Sequence, residues 1–168
     1  MSPKNPRTIY VGSNHLFKSV DRGETWRIVS PDLTQNNPKT RNSTMSGGLT
    51  RDATGAENYH TIYSIDESPL NSEVIWVGID DGNVQVTRDG GDTWTNVRLN
   101  IPGLPDTVWV SEVNASHHDA GTAYVTFDSH RMGDFDPYVY KSLRLQNDRL
   151  WGHLDGSFGG HSERPSGE

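Results

Sequence analysis

The 168-residue sequence predicts an all-β fold assembled from repeated antiparallel units. Three observations carry this prediction. Ser19-Val20-Asp21-Arg22-Gly23-Glu24-Thr25-Trp26 and Thr87-Arg88-Asp89-Gly90-Gly91-Asp92-Thr93-Trp94 share the pattern Ser/Thr-x-Asp-x-Gly-x-Thr-Trp position for position, and self-similarity of this kind decides the architecture around it. Short β-branched and aromatic runs recur between clusters of Gly, Pro, Asn and Asp, as strands do between turns. Aliphatic and aromatic residues make up only 32 %, with 17 Gly and 9 Pro, a composition that suits many short strands better than a helical bundle.

The octapeptide, called the box below, describes one tight turn. Its Asp accepts hydrogen bonds from backbone N–H groups, its Gly permits positive φ, and its Trp opens the next strand with a large apolar face. In chain order, Thr8-Ile9-Tyr10-Val11-Gly12 and Leu16-Phe17-Lys18-Ser19 read as two strands leading into the first box. Thr25-Trp26-Arg27-Ile28-Val29 follows as a third, stopped by Ser30-Pro31-Asp32. Residues 34–59 are a long polar loop, and loops of that length without structure of their own are functional or disordered.

Residues 60–99 hold the clearest unit. Thr61–Ile65, Val74–Gly78, Val84–Thr87 and Thr93–Val97 alternate with turns at 67–72, at Asp80-Asp81-Gly82-Asn83 and at the second box. Four short antiparallel strands in about 40 residues match one blade of a β-propeller. Val108–Val113, Thr122–Phe127 and Tyr138–Ser142 begin the same plan again, and Ile9-Tyr-Val-Gly, Ile75-Trp-Val-Gly and Ala123-Tyr-Val-Thr align in register. The predicted fold is therefore a fragment of a β-propeller, about two and a half to three four-stranded antiparallel blades. Its parts are a partial blade at 1–33, an inter-blade loop at 34–59, a complete blade at 60–104, a partial third blade at 105–142 and a divergent tail at 143–168, expected to be disordered.

Ser142 stands where Ser19 and Thr87 stand, yet the Asp, Gly, Thr and Trp positions of a third box hold Arg144, Gln146, Asp148 and Arg149. A degenerate terminal blade is one reading. Loss of the coding frame near Ser142 is the preferred one. Closing a propeller takes at least ~4 blades, so further blades of a longer parent are the expected partners. Blade edges left bare predict aggregation or oligomer formation.

Composition excludes several classes. The net charge of −7, from 15 basic and 22 acidic residues, and the lack of any Lys/Arg block argue against nucleic-acid binding. With no cysteine there is no disulfide framework, thiolate metal site or Cys nucleophile. No apolar run approaches membrane-spanning length, and the N-terminus lacks an apolar signal region, so an exported parent would carry its signal outside this stretch. No metal or cofactor is expected. His117-His118-Asp119 invites a metal reading, but adjacent side chains on a turn diverge and no third ligand is near in sequence.

The boxes resemble the Asp-boxes, or BNR repeats, of sialidase-type, xyloglucanase-type and sortilin (Vps10-type) β-propellers. Ser30-Pro31-Asp32-Leu33-Thr34, Gly55-Ala-Glu-Asn-Tyr-His, Ser68-Pro69-Leu70, Asp80-Asp81-Gly82 and His117-His118-Asp119-Ala120-Gly121-Thr122-Ala123-Tyr124-Val125 are similar to segments of large bacterial exported proteins. Those proteins are described as sortilin N-terminal-like or as glycosyl-hydrolase BNR repeat proteins, and the resemblance runs from residue 5 to about 142. It implies an extracellular or periplasmic parent and a module that binds protein, peptide or glycan. The alternative it implies is a fragment of a xyloglucanase-like glycoside hydrolase. Fold alone does not decide between them.

Strand order places the box turns on one face of the blades. The 34–59 loop, Asp80–Asn83, 103–106 and 128–137 lie on the other, which propellers favour for binding, as the resemblance implies. The box residues Ser19, Asp21, Gly23, Thr25, Trp26, Thr87, Asp89, Gly91, Thr93 and Trp94 are thus structural. A glycosidase needs two carboxyl groups ~5–5.5 Å or ~6.5–9.5 Å apart, and Glu57, Asp80, Asp81, Asp134 and Asp136 lie on the suitable face. Asp80-Asp81-Gly82 is also an ordinary hairpin turn, the reading preferred here, and no catalytic pair is assignable. Tyr59, His60 and Asp134 are candidate ligand contacts, though for Glu57-Asn58-Tyr59-His60 a loop anchor is the reading preferred here. Arg41, Arg51 and Arg131 are scattered and do not form the arginine cluster of a sialidase.

Overall fold

A computed structural model describes residues 1–38, 60–106, 108–142 and 151–154. The described residues form three antiparallel sheets in sequence order. The first contains β1 (Ile9–Gly12), β2 (Leu16–Ser19) and β3 (Arg27–Ile28). The second contains β4 (Ile62–Glu67), β5 (Ile75–Ile79), β6 (Val84–Thr87) and β7 (Thr95–Asn96). The third contains β8 (Trp109–Ala115), β9 (Ala123–Asp128), β10 (Tyr138–Ser142) and β11 (Trp151–His153). Each sheet is an up-and-down meander whose neighbours in sequence are neighbours in space, as blades are.

The strand after each box is shorter than the sequence suggests. Thr25 and Thr93 each give the backbone N–H and the hydroxyl to the box Asp, so neither is available to the ladder. Pairing resumes at Arg27 and Thr95, opposite Lys18 and Val86.

The third sheet departs further from the sequence reading, which ended that unit at Ser142. Trp151–His153 adds a fourth strand, with Trp151 paired to Ser142. Extending the other two registers by one residue sets Trp26 opposite Ser19 and Trp94 opposite Thr87, so Trp151 occupies the box-Trp position after a connection two residues longer. The Ser142 hydroxyl accepts the Ala123 N–H at 2.8 Å.

The core lies between the sheets. Leu16, Leu33, Ile62, Ile75, Val77 and Ile79 fill the first seam with Tyr10, Val29 and Trp94 against them. Trp76, Val86, Val110, Val125, Phe127, Tyr140 and Trp151 are among those filling the second. The period of two sends alternate residues of β5 to opposite seams, which is why all five are buried. Gly78 marks the closest approach, since a Cβ there would stand 2.3 Å from Val110 Cγ1 on β8.

Candidate functional site: the carboxylate clamp at the β5–β6 turn

Both sequence-derived carboxylates on the second sheet lie in the β5–β6 turn and are buried. Gly82 allows that turn with φ +86°, and its missing side chain admits the Val108 carbonyl, 2.6 Å from where a Cβ would be. Asp80 Oδ1 accepts the backbone N–H groups of His60 and Thr61, each at 2.8 Å. Asp81 Oδ2 accepts the Gln35 N–H at 2.6 Å and lies 3.0 Å from His60 Nδ1, while its Oδ1 accepts the Asn83 N–H at 3.0 Å. Gln35 Nε2 returns a bond of 2.7 Å to the Asp81 carbonyl.

The two ends of the long loop, at Gln35 and His60, therefore meet on one aspartate. His60 sits at φ +72°, a left-handed conformation rare for a residue with a Cβ, and its bonds to Asp80 and Asp81 hold it there. Asn83 and Gln85 extend the clamp by donating to the Leu33 carbonyl at 3.3 and 2.9 Å. Burial pushes the Asp80 carboxyl up to about 6, against the Thr61 N–H, which lowers it; the adjacent Asp81 charge adds to the rise.

Of the other candidates, Glu57 and Tyr59 lie outside the described residues, as do Arg41 and Arg51. Asp134 is in a different place, the β9–β10 loop. Its Oδ2 accepts the Tyr138 hydroxyl at 2.7 Å, which with some burial pushes that phenol up to about 12, and its Oδ1 accepts the Asp136 N–H. Asp119 caps its own turn through Gly121 N–H and Thr122 Oγ1. Among the described residues no group of three or more His, Cys, Asp or Glu could hold a metal ion, and no helix is long and apolar enough to cross a membrane. Sequence reading missed Gln35, Asn83 and Gln85. Position pointed to Gln35, at the start of the loop, and to Asn83, in the turn that receives it; Gln85, inside β6, carried no such signal.

The boxes match each other bond for bond. The Ser19 and Thr87 hydroxyls donate to Asp21 and Asp89 at 2.7 Å in both, and accept from Gly23 and Gly91 N–H at 2.8 and 3.0 Å. The bonds from Thr25 to Asp21 hold that carboxyl down at about 2, and those from Thr93 lower Asp89 further. A separate cavity of 340 Å³ lies between β3 and the second box, lined by Arg27, Val29, Pro31, Gly91 and Asp92 among others. It contains none of the carboxylates considered above.

The sheet architecture has solved counterparts. An enzyme from Niastella koreensis described as GH74 matches with a TM-score of 0.56 and 20 % identity, over 91 % of this chain and 20 % of that one. A GH74 xyloglucanase from Xanthomonas campestris matches with a TM-score of 0.59 and 21 % identity, over 92 % and 21 %. "YCF48 bound to D1 peptide" matches with a TM-score of 0.54 and 17 % identity, over 89 % and 38 %. This chain is a fragment of a β-propeller fold. It spans about a fifth of the two GH74 chains. No protein-family model matches the sequence, and no curated protein matches it either.

Proposed function

We propose that this propeller fragment is an Asp-box (BNR-repeat) module of a larger exported bacterial protein of the sortilin N-terminal-like kind. Its place is extracellular or periplasmic, and it binds protein, peptide or glycan through the face that carries the 34–59 loop. One observation carries the reading: Asp80 and Asp81 are engaged by the backbone at both ends of that loop. A carboxylate that accepts two backbone N–H groups is serving as a fastener, and here the two carboxylates hold the segments at Gln35 and at His60–Thr61 to the β5–β6 turn. Tyr59, His60 and Asp134 are the contact residues proposed for the ligand. The peptide named with YCF48 supports a binding role for this fold.

A second reading, a stretch of a xyloglucanase-like hydrolase, is favoured by the raised Asp80 carboxyl, which lies in the range of a general acid, and by the xyloglucanase neighbour. Calorimetric titration with xyloglucan oligosaccharides and with a peptide panel, run beside an assay of reducing-sugar release, separates the two. Saturable binding without sugar release is expected. Release that disappears in a folded Asp80→Asn variant would establish the hydrolase instead.

A further inference from the structure

Where the second box abuts β3, the first and second sheets leave a crevice with a closed floor. The Trp94 indole N–H is shared between Gly91 O and Val29 O, each at 3.1 Å, and a side chain at Gly91 would collide with the Val29 carbonyl. Ser30 is tied down as well, its hydroxyl accepting the Leu16 N–H and donating to Pro31 O, both at 2.8 Å. On that floor lies the cavity of 340 Å³, with Arg27 on the wall made by β3 and Asp92 on the wall made by the box. The period of two turns Arg27 away from the Trp26 side and toward the second sheet, where its charge and that of Glu73 both act on the Tyr10 phenol. The ion pairs among the described residues lie elsewhere, at His60–Asp81 and His130–Asp128. A cation and an anion thus line one opening, and neither is held in an ion pair among those residues.

The strand edge beside this opening can take a partner. Among the described residues β3 is the last strand of the first sheet, and Ile28 also lines the cavity. Val29 N–H bonds to Leu16 O at 2.9 Å, and Ile28 stands opposite Phe17. Ile28 therefore falls in the non-hydrogen-bonded pair of the ladder, and its N–H and C=O point away from β2. They are the donor and the acceptor that an added strand takes from an edge residue. Blades stack face to face around a propeller. Further blades of a parent would cover the faces of the first and third sheets and leave this edge, and the crevice between the first two sheets, as they are.

We propose that the crevice is a docking site for an extended peptide, which pairs with the Ile28 edge and sets an acidic side chain against Arg27 and a basic one against Asp92. In an added strand the residue paired with Ile28 projects to the Ile28 side, and its two neighbours project to the crevice side, about 7 Å apart. The motif is therefore an acidic and a basic residue separated by one position. Hydrogen bonds along the edge supply attraction for any extended chain, and the two charges supply the selection. The site is separate from the loop face and stands whatever that face binds.

Amide chemical shifts of the isotope-labelled 168-residue chain, titrated with short blocked threonine peptides, test this. A peptide carrying glutamate and lysine two positions apart, in one order or the other, should give saturable shifts centred on Arg27–Pro31 and Gly90–Asp92. An all-threonine peptide should bind about fivefold more weakly or worse, and Arg27→Gln or Asp92→Asn should each weaken the charged peptide about three- to fivefold, as loss of a surface ion pair does. Arg27→Glu should lose that peptide and gain one with lysine at both positions. Arg27 is exposed and Asp92 half-buried, so shifts elsewhere in the variants should stay as they were. Equal affinity for the all-threonine peptide, shifts centred on Asp80–Asn83 instead, or no saturable shift with either order would each overturn the proposal.

Discussion

The two internal seams are closed by different means. Between the first and second sheets a modest apolar filling is bolted at both ends by buried carboxylates. Glu67 accepts the Ser2 and Tyr10 hydroxyls at 2.6 Å each on the box side, and Asp81 holds Gln35 and His60 on the loop side. Between the second and third sheets the filling is broader and aromatic, with Trp76 and Trp151 edge to face at 88° and 6.1 Å between centroids. Its polar links among the described residues include single bonds to the backbone, Val113 N–H to Ser64 Oγ and Ala115 N–H to Asp66. Apolar burial is non-directional, so the second seam draws its strength from area. Buried carboxylates demand their partners at fixed geometry, so the first seam is set in position.

The largest effect should follow from removing area where area is the means. Trp76 is 1 % exposed and its indole N–H finds no acceptor, so Trp76→Ala forfeits packing and no hydrogen bond. A loss of about 3–5 kcal/mol is expected in urea unfolding, with amide exchange rising first in β8 and β9. Breaking a bolt should cost less. Glu67→Ala strands two hydroxyls in a buried place, for about 1–3 kcal/mol. Glu67→Gln keeps one acceptor and should recover part of it. If Glu67→Ala cost as much as Trp76→Ala, the distinction between the seams would fall.

Much of this was legible in the residues. The strands follow from alternation in runs such as Ile62–Glu67, and the turns follow from a repeated octapeptide whose Asp and Gly each have one evident use. The boltwork was not. Glu67 meets Ser2 and Tyr10 across 65 and 57 positions, and Asp81 meets Gln35 across 46. Neither periodicity nor spacing records such distant pairings. Gln85 reads as a solvent-facing residue between two valines, yet it is buried because its sheet is covered on both sides. Trp151 escaped notice because register in a sheet depends on pairing across the turn, and a connection two residues longer than a box hides an equivalence that the hydrogen bonds make plain.

The smallest effect tests the loop-side bolt against the boxes by pH. Asp21 and Asp89 titrate below the usual carboxylate range, because their hydrogen bonds favour the ionised form. Their contribution is present above the unfolded value of about 4 and is lost as pH falls from there toward 2. Asp80 has the opposite sign. Its carboxyl is raised to about 6, so between about pH 4 and 6 the folded chain holds a proton that the unfolded chain has released, and stability declines as pH rises through that window. Thermal unfolding midpoints should therefore climb from pH 2 to 4 and then sag toward pH 6. Asp80→Asn keeps an oxygen for the His60 and Thr61 N–H groups without a charge to bury, and it should flatten the sag while leaving the acid limb unchanged. An Asp80→Asn protein that still sags between pH 4 and 6 would remove Asp80 as the source. Asp21→Asn should lower the acid limb alone, because the box it serves shares no bond with the clamp.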